Sequence, residues 1–217
     1  MCYYPKVRVI VLFLLIVPIC CPQTLFLGAV AGGRLTDDVA GSARPESRRY
    51  IVGPMIELSL PLGFSVEFEA IYHRHGYSAD GFNFAQIEID RERANSWEFP
   101  ILIRYKLPVP AVRPFLEAGV APRTISGTIS KTLTVYDVIT GQPTISTATA
   151  ATDWDTSVGF VAGVGVQFGV GRLRLSPEGR YTHWNNRPVN GAILDGQPFY
   201  STKYQFDVLV GIGWRLR

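Results

Sequence analysis

Apolar and polar positions alternate with a period of two along most of this chain. The clearest case is residues 204–216, where Tyr204, Phe206, Val208, Val210, Ile212, Trp214 and Leu216 take every second position. Gln205, Asp207, Leu209, Gly211, Gly213 and Arg215 lie between them. Successive side chains of a strand point to opposite faces, so this segment forms a ribbon with one apolar face and one mostly polar or small face. Its length is what a tilted strand needs to cross a bilayer.

Seven earlier segments repeat the pattern. Residues 24–36 form the first, with the poorest alternation because of Gly28, Gly32 and Gly33. Residues 49–60 follow, then 64–73, where Phe64, Val66, Phe68, Ala70 and Tyr72 oppose Ser65, Glu67, Glu69 and His73. Residues 97–107, a fifth strand from Arg113 onward, 154–169 and 172–184 complete the set. Pro177 and Gly179 mark a bulge in the seventh. The connections alternate long and short. Residues 37–48, 74–96, 127–153 and 185–203 are long, whereas 60–63, 107–110 and 169–171 are tight. Alternation within 128–138, ahead of Gly141 and Pro143, predicts a hairpin that projects beyond the main body. Eight strands with loops sorted by length predict an antiparallel up-and-down β-barrel.

Two barrels fit this pattern, and they differ in which face meets water. A soluble lipocalin-like barrel turns its apolar faces inward around a ligand, and a transmembrane barrel turns them outward. The polar faces carry Glu57, Glu67, Glu69, Glu117, Glu178 and Asp207 with Arg104, Lys106, Arg123, Arg172, Arg174, Arg180 and Arg215. Near-balance of sign suits a narrow lumen in which each buried ion has a partner. Aromatic residues gather at the strand ends. Tyr50, Tyr72, Trp97, Trp154, Tyr181, Trp184 and Tyr204 lie beside the long connections, and Phe64, Tyr105, Phe115, Phe168 and Trp214 beside the short ones. Two aromatic girdles bracketing an aliphatic band match two bilayer interfaces and favour the transmembrane reading.

Composition sharpens the compartment. Lys6 and Arg8 precede the apolar run 9–17, which is too short to span a membrane and reads as an export signal over residues 1–23. Residues 24–217 then form the barrel domain. Cys2, Cys20 and Cys21 are the only cysteines of the chain, so the barrel holds together without disulfides. Beyond the signal, 19 of the 21 basic residues remain against 18 acidic ones. No basic tract points to nucleic acid.

On strand pattern, loop asymmetry and the final strand, residues 24–217 resemble the small outer-membrane β-barrel proteins of the OmpA/OmpX kind. The resemblance implies a place in the cell outer membrane, contact with outer-membrane lipid and with the barrel assembly machinery, and extracellular ligands met through the long loops. Members of that family end in an aromatic residue, whereas this chain ends in Arg217.

Three clusters could carry chemistry. His183, within Arg180-Tyr181-Thr182-His183-Trp184-Asn185-Asn186 and ahead of Pro188, Asn190 and Gly191, resembles the active segment of lipid A deacylases. Those enzymes pair the His with a Ser two positions on, so that it activates the hydroxyl. Asn185 stands there instead and has no nucleophilic oxygen. His73 and His75 share a face near Asp80 and could chelate a metal, but a structural site needs more ligands. Glu67 and Glu69 stand roughly 6–7 Å apart at the backbone by the strand rise, and Arg and Lys on neighbouring strands suit them for lumen ion pairing. No motif implies a cofactor. The expectation is a non-enzymatic outer-membrane barrel with a structural, surface-interaction or narrow porin-like role. A lipid A deacylase-like enzyme and a lipocalin-like barrel are the alternatives.

Overall fold

The computed structural model describes residues 24–83, 86–109, 112–137, 139–186, 192–194 and 197–216. The expected signal segment, Pro188, Asn190, Gly191, Arg217 and the side chain of Trp154 lie outside the described residues. The first strands are β1 (Thr24–Arg34), β2 (Val39–Gly41), β3 (Arg44–Pro45), β4 (Tyr50–Ser59), β5 (Phe64–Glu69), β6 (Ile71–Asn83) and β7 (Gln86–Glu98). They are followed by β8 (Ile101–Lys106), β9 (Val112–Tyr136), β10 (Pro143–Val170), β11 (Leu173–Trp184), β12 (Ala192–Leu194), β13 (Gln197–Ser201) and β14 (Tyr204–Arg215).

Antiparallel pairing closes the sheet on itself. β14 pairs with β11 on one side and β1 on the other, and the ladder runs on through β4, β5, β8, β9 and β10 back to β11. β5 with β6, and β7 with β8, each make one long stave with a short break. Register is kept across the first break: Met55 faces Glu69 before it and Val52 faces Tyr72 after it. Prolines sit at the breaks as acceptors. The Ala70 N–H donates to the Pro54 carbonyl at 3.1 Å, Glu69 to Pro100 at 3.1 Å and Phe99 to Pro122 at 2.8 Å. Proline has no N–H to give but keeps its carbonyl, so the wall continues. Eight staves result, as the hydrophobic pattern predicts.

Exposure decides which face is outside. Ile103, Leu116 and Phe160 are 59%, 57% and 63% exposed, whereas Glu57, Glu67 and Glu69 are fully buried. The ionic faces meet inside, and the apolar faces form the outer band. A lipocalin-like barrel is thereby excluded.

Several expectations need correction. The connection 74–96 is a β-hairpin, because β6 and β7 continue pairing from Ile71↔Glu98 out to Asn83↔Gln86. The projecting hairpin in 127–153 is present and long, and β9 and β10 pair from Phe168↔Val112 to Pro143↔Tyr136. The register shift expected at Pro177 is absent there, where Pro177 faces Val210 in an unbroken frame. A shift occurs instead on β10 between Thr152 and Asp155. The remaining long connections contribute a small sheet of β12, β13 and β2.

Trp184 and Phe115 are not girdle residues. Both point inward and are buried. Trp184 shares the phase of Glu178 and Arg180, and Phe115 that of Glu117, so each belongs to the lumen face of its strand. Glycines on β10 make room for them. A Cβ on Gly159 would lie 2.6 Å from Thr182 and 2.9 Å from the Trp184 ring, and one on Gly165 would lie 2.3 Å from the Phe115 ring. Gly159→Val should therefore overpack the lumen and lower stability by about 1–3 kcal/mol. The denaturant midpoint of the folded, heat-modifiable gel form measures this, and adding Trp184→Ala should restore much of it.

Candidate functional site

The lumen is built from the inward face of every stave. Near its middle, Arg104 is a hub. Its Nη1 donates to Glu67 at 2.5 Å, its Nε to Glu117 at 2.7 Å and its Nη2 to Glu178 at 2.5 Å. Arg180 is a second hub, bidentate on Glu69 at 2.6 and 3.1 Å, with Glu117 at 3.1 Å and Glu178 at 2.6 Å. Toward the short turns, Lys106 donates to Glu57, and Arg174 lies 2.5 Å from the same carboxylate. The Arg174 guanidinium also covers the Phe26 ring, 4.1 Å from its centroid. The pairing expected among Glu57, Glu67, Glu69, Arg104, Lys106, Glu117, Arg174, Glu178 and Arg180 is thus a single connected network. Guanidinium forks hold several carboxylates at once because their donors are planar and fixed.

A second polar layer lies nearer the long connections. Arg34, at the end of β1, donates to Glu98 at 2.8 Å, Asp38 at 3.1 Å and Asp207 at 3.2 Å. Gln205 donates to Asp207 at 2.6 Å and accepts from the Trp184 indole N–H at 2.9 Å. Arg123 stacks 3.8 Å above the Trp184 ring and donates to Ser157 at 3.1 Å. Asp207 and Arg123 therefore belong to this layer rather than to the central network. Arg34 was hidden in the sequence by the glycines of its strand, although it keeps the phase of Phe26 and Val30.

Between the two layers many inward positions are apolar. Val30, Ile51, Met55, Ile71 and Leu209 form one buried cluster, and Leu102, Ala121 and Val161 join Trp184 in another. On three staves an apolar residue falls between charged or polar ones of the two layers: Leu102 between Arg104 and Glu98, Ala121 between Glu117 and Arg123, and Ile71 between Glu69 and His73. The interior is therefore more than paired charges and glycines, because apolar side chains fill part of the space between two ionic shells that adjoin at Arg180↔Asp207. Beyond the central network, a cavity of about 660 Å3 opens among the short turns, lined by residues that include Phe26, Lys106, Arg113, Gln167 and Arg215.

His73 and His75 share a face, as their spacing requires, but their partner is Asp38 and not Asp80. The same Asp38 oxygen lies 2.9 Å from His73 Nε2 and 3.1 Å from His75 Nδ1. Among the described residues no group of three His, Cys, Asp or Glu side chains has metal-binding geometry. The cluster is a clamp. The Asp38 carbonyl also accepts from the Thr202 N–H at 2.9 Å, so one residue ties the first and last long connections to β6. His183 lies on the outer face, its ring 5.2 Å from that of Tyr204. The Asn185 side chain accepts from the Val158 N–H at 3.0 Å and caps the strand edge.

The expected girdle residues Tyr50, Tyr72, Trp97, Tyr105, Phe168, Tyr181, Tyr204 and Trp214 all lie on the outer face. Tyr72 packs on Trp97 at 5.3 Å, Phe64 on Tyr105 at 5.0 Å, and Tyr181 on Phe206 at 4.9 Å.

Two outcomes test the site. Arg104→Met leaves three buried carboxylates short of a partner and should cost about 3–5 kcal/mol, read from the unfolding midpoint. Burial alone would raise the Asp38 carboxyl, but hydrogen bonds from His73 and His75 and the Arg34 charge outweigh it and hold it well below the usual carboxylate range. Its stabilisation is therefore complete above about pH 4 and is lost as pH falls through the lower folded value. Asp38→Asn should speed proteolysis of the long connections at neutral pH and match the parent in strong acid.

No family model matches the chain, and no curated protein matches it in sequence. Solved structures do match. A major outer membrane protein from Thermus thermophilus superposes with a TM-score of 0.53 at 11% identity, covering 90% of this chain and all of that one. Neisserial surface protein A gives a TM-score of 0.48 at 13% identity over 90% of this chain and 100% of its own. The outer membrane protease OmpT from Escherichia coli gives 0.43 at 10% identity, over 89% and 96%. With its closed ring, outward apolar band and ionic lumen, the chain has the fold of a small outer-membrane β-barrel.

Proposed function

We propose that this chain is a non-enzymatic outer-membrane protein that displays a projecting sheet for surface contact. The observation that carries the reading is the far end of β9 and β10. β11 ends opposite Gly159, so among the described residues the earlier part of β10 has β9 as its only strand partner. Residues 143–151 are exposed on both faces and read Pro-Thr-Ile-Ser-Thr-Ala-Thr-Ala-Ala, without a charge. A free, uncharged edge rich in β-branched residues is a template for an added strand.

The lumen supports an anchor rather than a pore. Densely paired ionic layers with apolar clusters between them weigh against a wide hydrated path for ions. Asn185, at the position of the expected Ser, is engaged with the β10 backbone and offers His183 no hydroxyl to activate, which weighs against the deacylase-like reading. Planar bilayers holding the folded protein should record no conductance above background, and discrete channel steps would overturn the anchor. Replacing residues 130–149 by an Asn-Gly turn should keep the heat-modifiable barrel and reduce attachment of cells to protein-coated surfaces. Undiminished attachment would sink the surface role.

A further inference from the structure

The outward face of the sheet changes character just past the upper girdle. Tyr72 and Trp97 face each other across β6 and β7, and the Tyr72 hydroxyl donates to Asn95 at 2.7 Å. The next outward pairs are Arg74↔Asn95, Gly76↔Arg93 and Ser78↔Arg91. On the other side of β6, Arg44 faces Ser78, and the Arg48 N–H donates to the Arg74 carbonyl at 3.0 Å. Each such step climbs roughly 7 Å. Five exposed arginines therefore crowd one face within three steps of the aromatic row.

Among the described residues only Glu46 offsets them there, accepting from Arg91 at 3.0 Å. Arg44, Arg48, Arg74 and Arg93 have no carboxylate partner among the described residues, and Asp80 lies one step further out. In the lumen, by contrast, Arg34, Arg104, Arg174 and Arg180 are each paired with carboxylates. Four unpaired guanidinium groups side by side repel one another unless an anion lies among them. Their planar donors match phosphate oxygens in pairs. Depth selects the source of the phosphate. The girdle marks the membrane–water interface, so the arginines stand where lipid headgroups lie.

We infer that this face of β3, β6 and β7 binds the phosphate groups of an outer-leaflet glycolipid. The inference rests on the outer-membrane placement described above, which membrane fractionation tests separately. The test titrates the folded full chain in micelles with bisphosphorylated lipid A, with the same lipid stripped of phosphate, and with inorganic phosphate. Arg74→Gln and Arg93→Gln should each weaken binding of the bisphosphorylated lipid about tenfold. Arg113→Gln, at the opposite mouth, should leave it unchanged. Unchanged heat-modifiable mobility confirms folding for each variant. Equal affinity of variant and parent, or equal binding of the phosphate-free lipid, would overturn the site. Displacement of the lipid by millimolar inorganic phosphate would also overturn it, in favour of a free-anion site.

Discussion

A strand in hydrocarbon has no water to satisfy its backbone, so every N–H and C=O must find a partner within the sheet. Closure of the ring, with β14 between β11 and β1, meets that demand at the one place where an open sheet would fail. The prolines of the wall obey the same constraint. Pro54, Pro100 and Pro122 accept hydrogen bonds from the neighbouring stave, so the breaks beside them leave carbonyls occupied and register unchanged. Each outward side chain then remains outward along the full height of the barrel.

Closure with eight strands leaves an interior that side chains can fill. Because outward positions are apolar, inward positions must carry the ions, and a buried ion needs partners. Arg104 and Arg180 meet that need by serving several carboxylates each, which neighbouring Lys side chains could not do with the same fixed geometry. Gly159 and Gly165 give up their own volume to Trp184 and Phe115. The interior is filled by matching large residues against absent ones. Such a filling suits a rigid support better than a passage.

The two ends of the barrel differ. At the short turns the staves stop and a cationic cavity opens. At the other end β6, β7, β9 and β10 continue past the outward aromatic row of Tyr72 and Trp97 as paired strands, so the same hydrogen-bonding that built the wall extends the sheet. Asp38, bound by Arg34, His73 and His75, fastens the irregular connections to it. The continued sheet carries an edge with no strand partner among the described residues and an arginine-rich face, two surfaces the transmembrane part cannot present.

The period-two pattern alone determined the number of staves, the side of each that meets lipid and the alternation of long and short connections. These properties are local, set by the pleat of each strand. Trp184 and Phe115, assigned to the girdles on their aromatic character, lie on the lumen face that their phase in the strand dictates. What it could not determine was which ions meet. The contact of Arg104 with Glu178 joins residues 74 apart in sequence, and that of Arg34 with Asp207 residues 173 apart. Such pairings depend on stagger between staves and on ring closure, which no single strand encodes. The charged stretch 74–96 read as a loop because its side chains lack an apolar face. Pairing of β6 with β7, and of β7 with β9, makes it a sheet, since backbone hydrogen bonds to a neighbouring strand require no hydrophobic pattern.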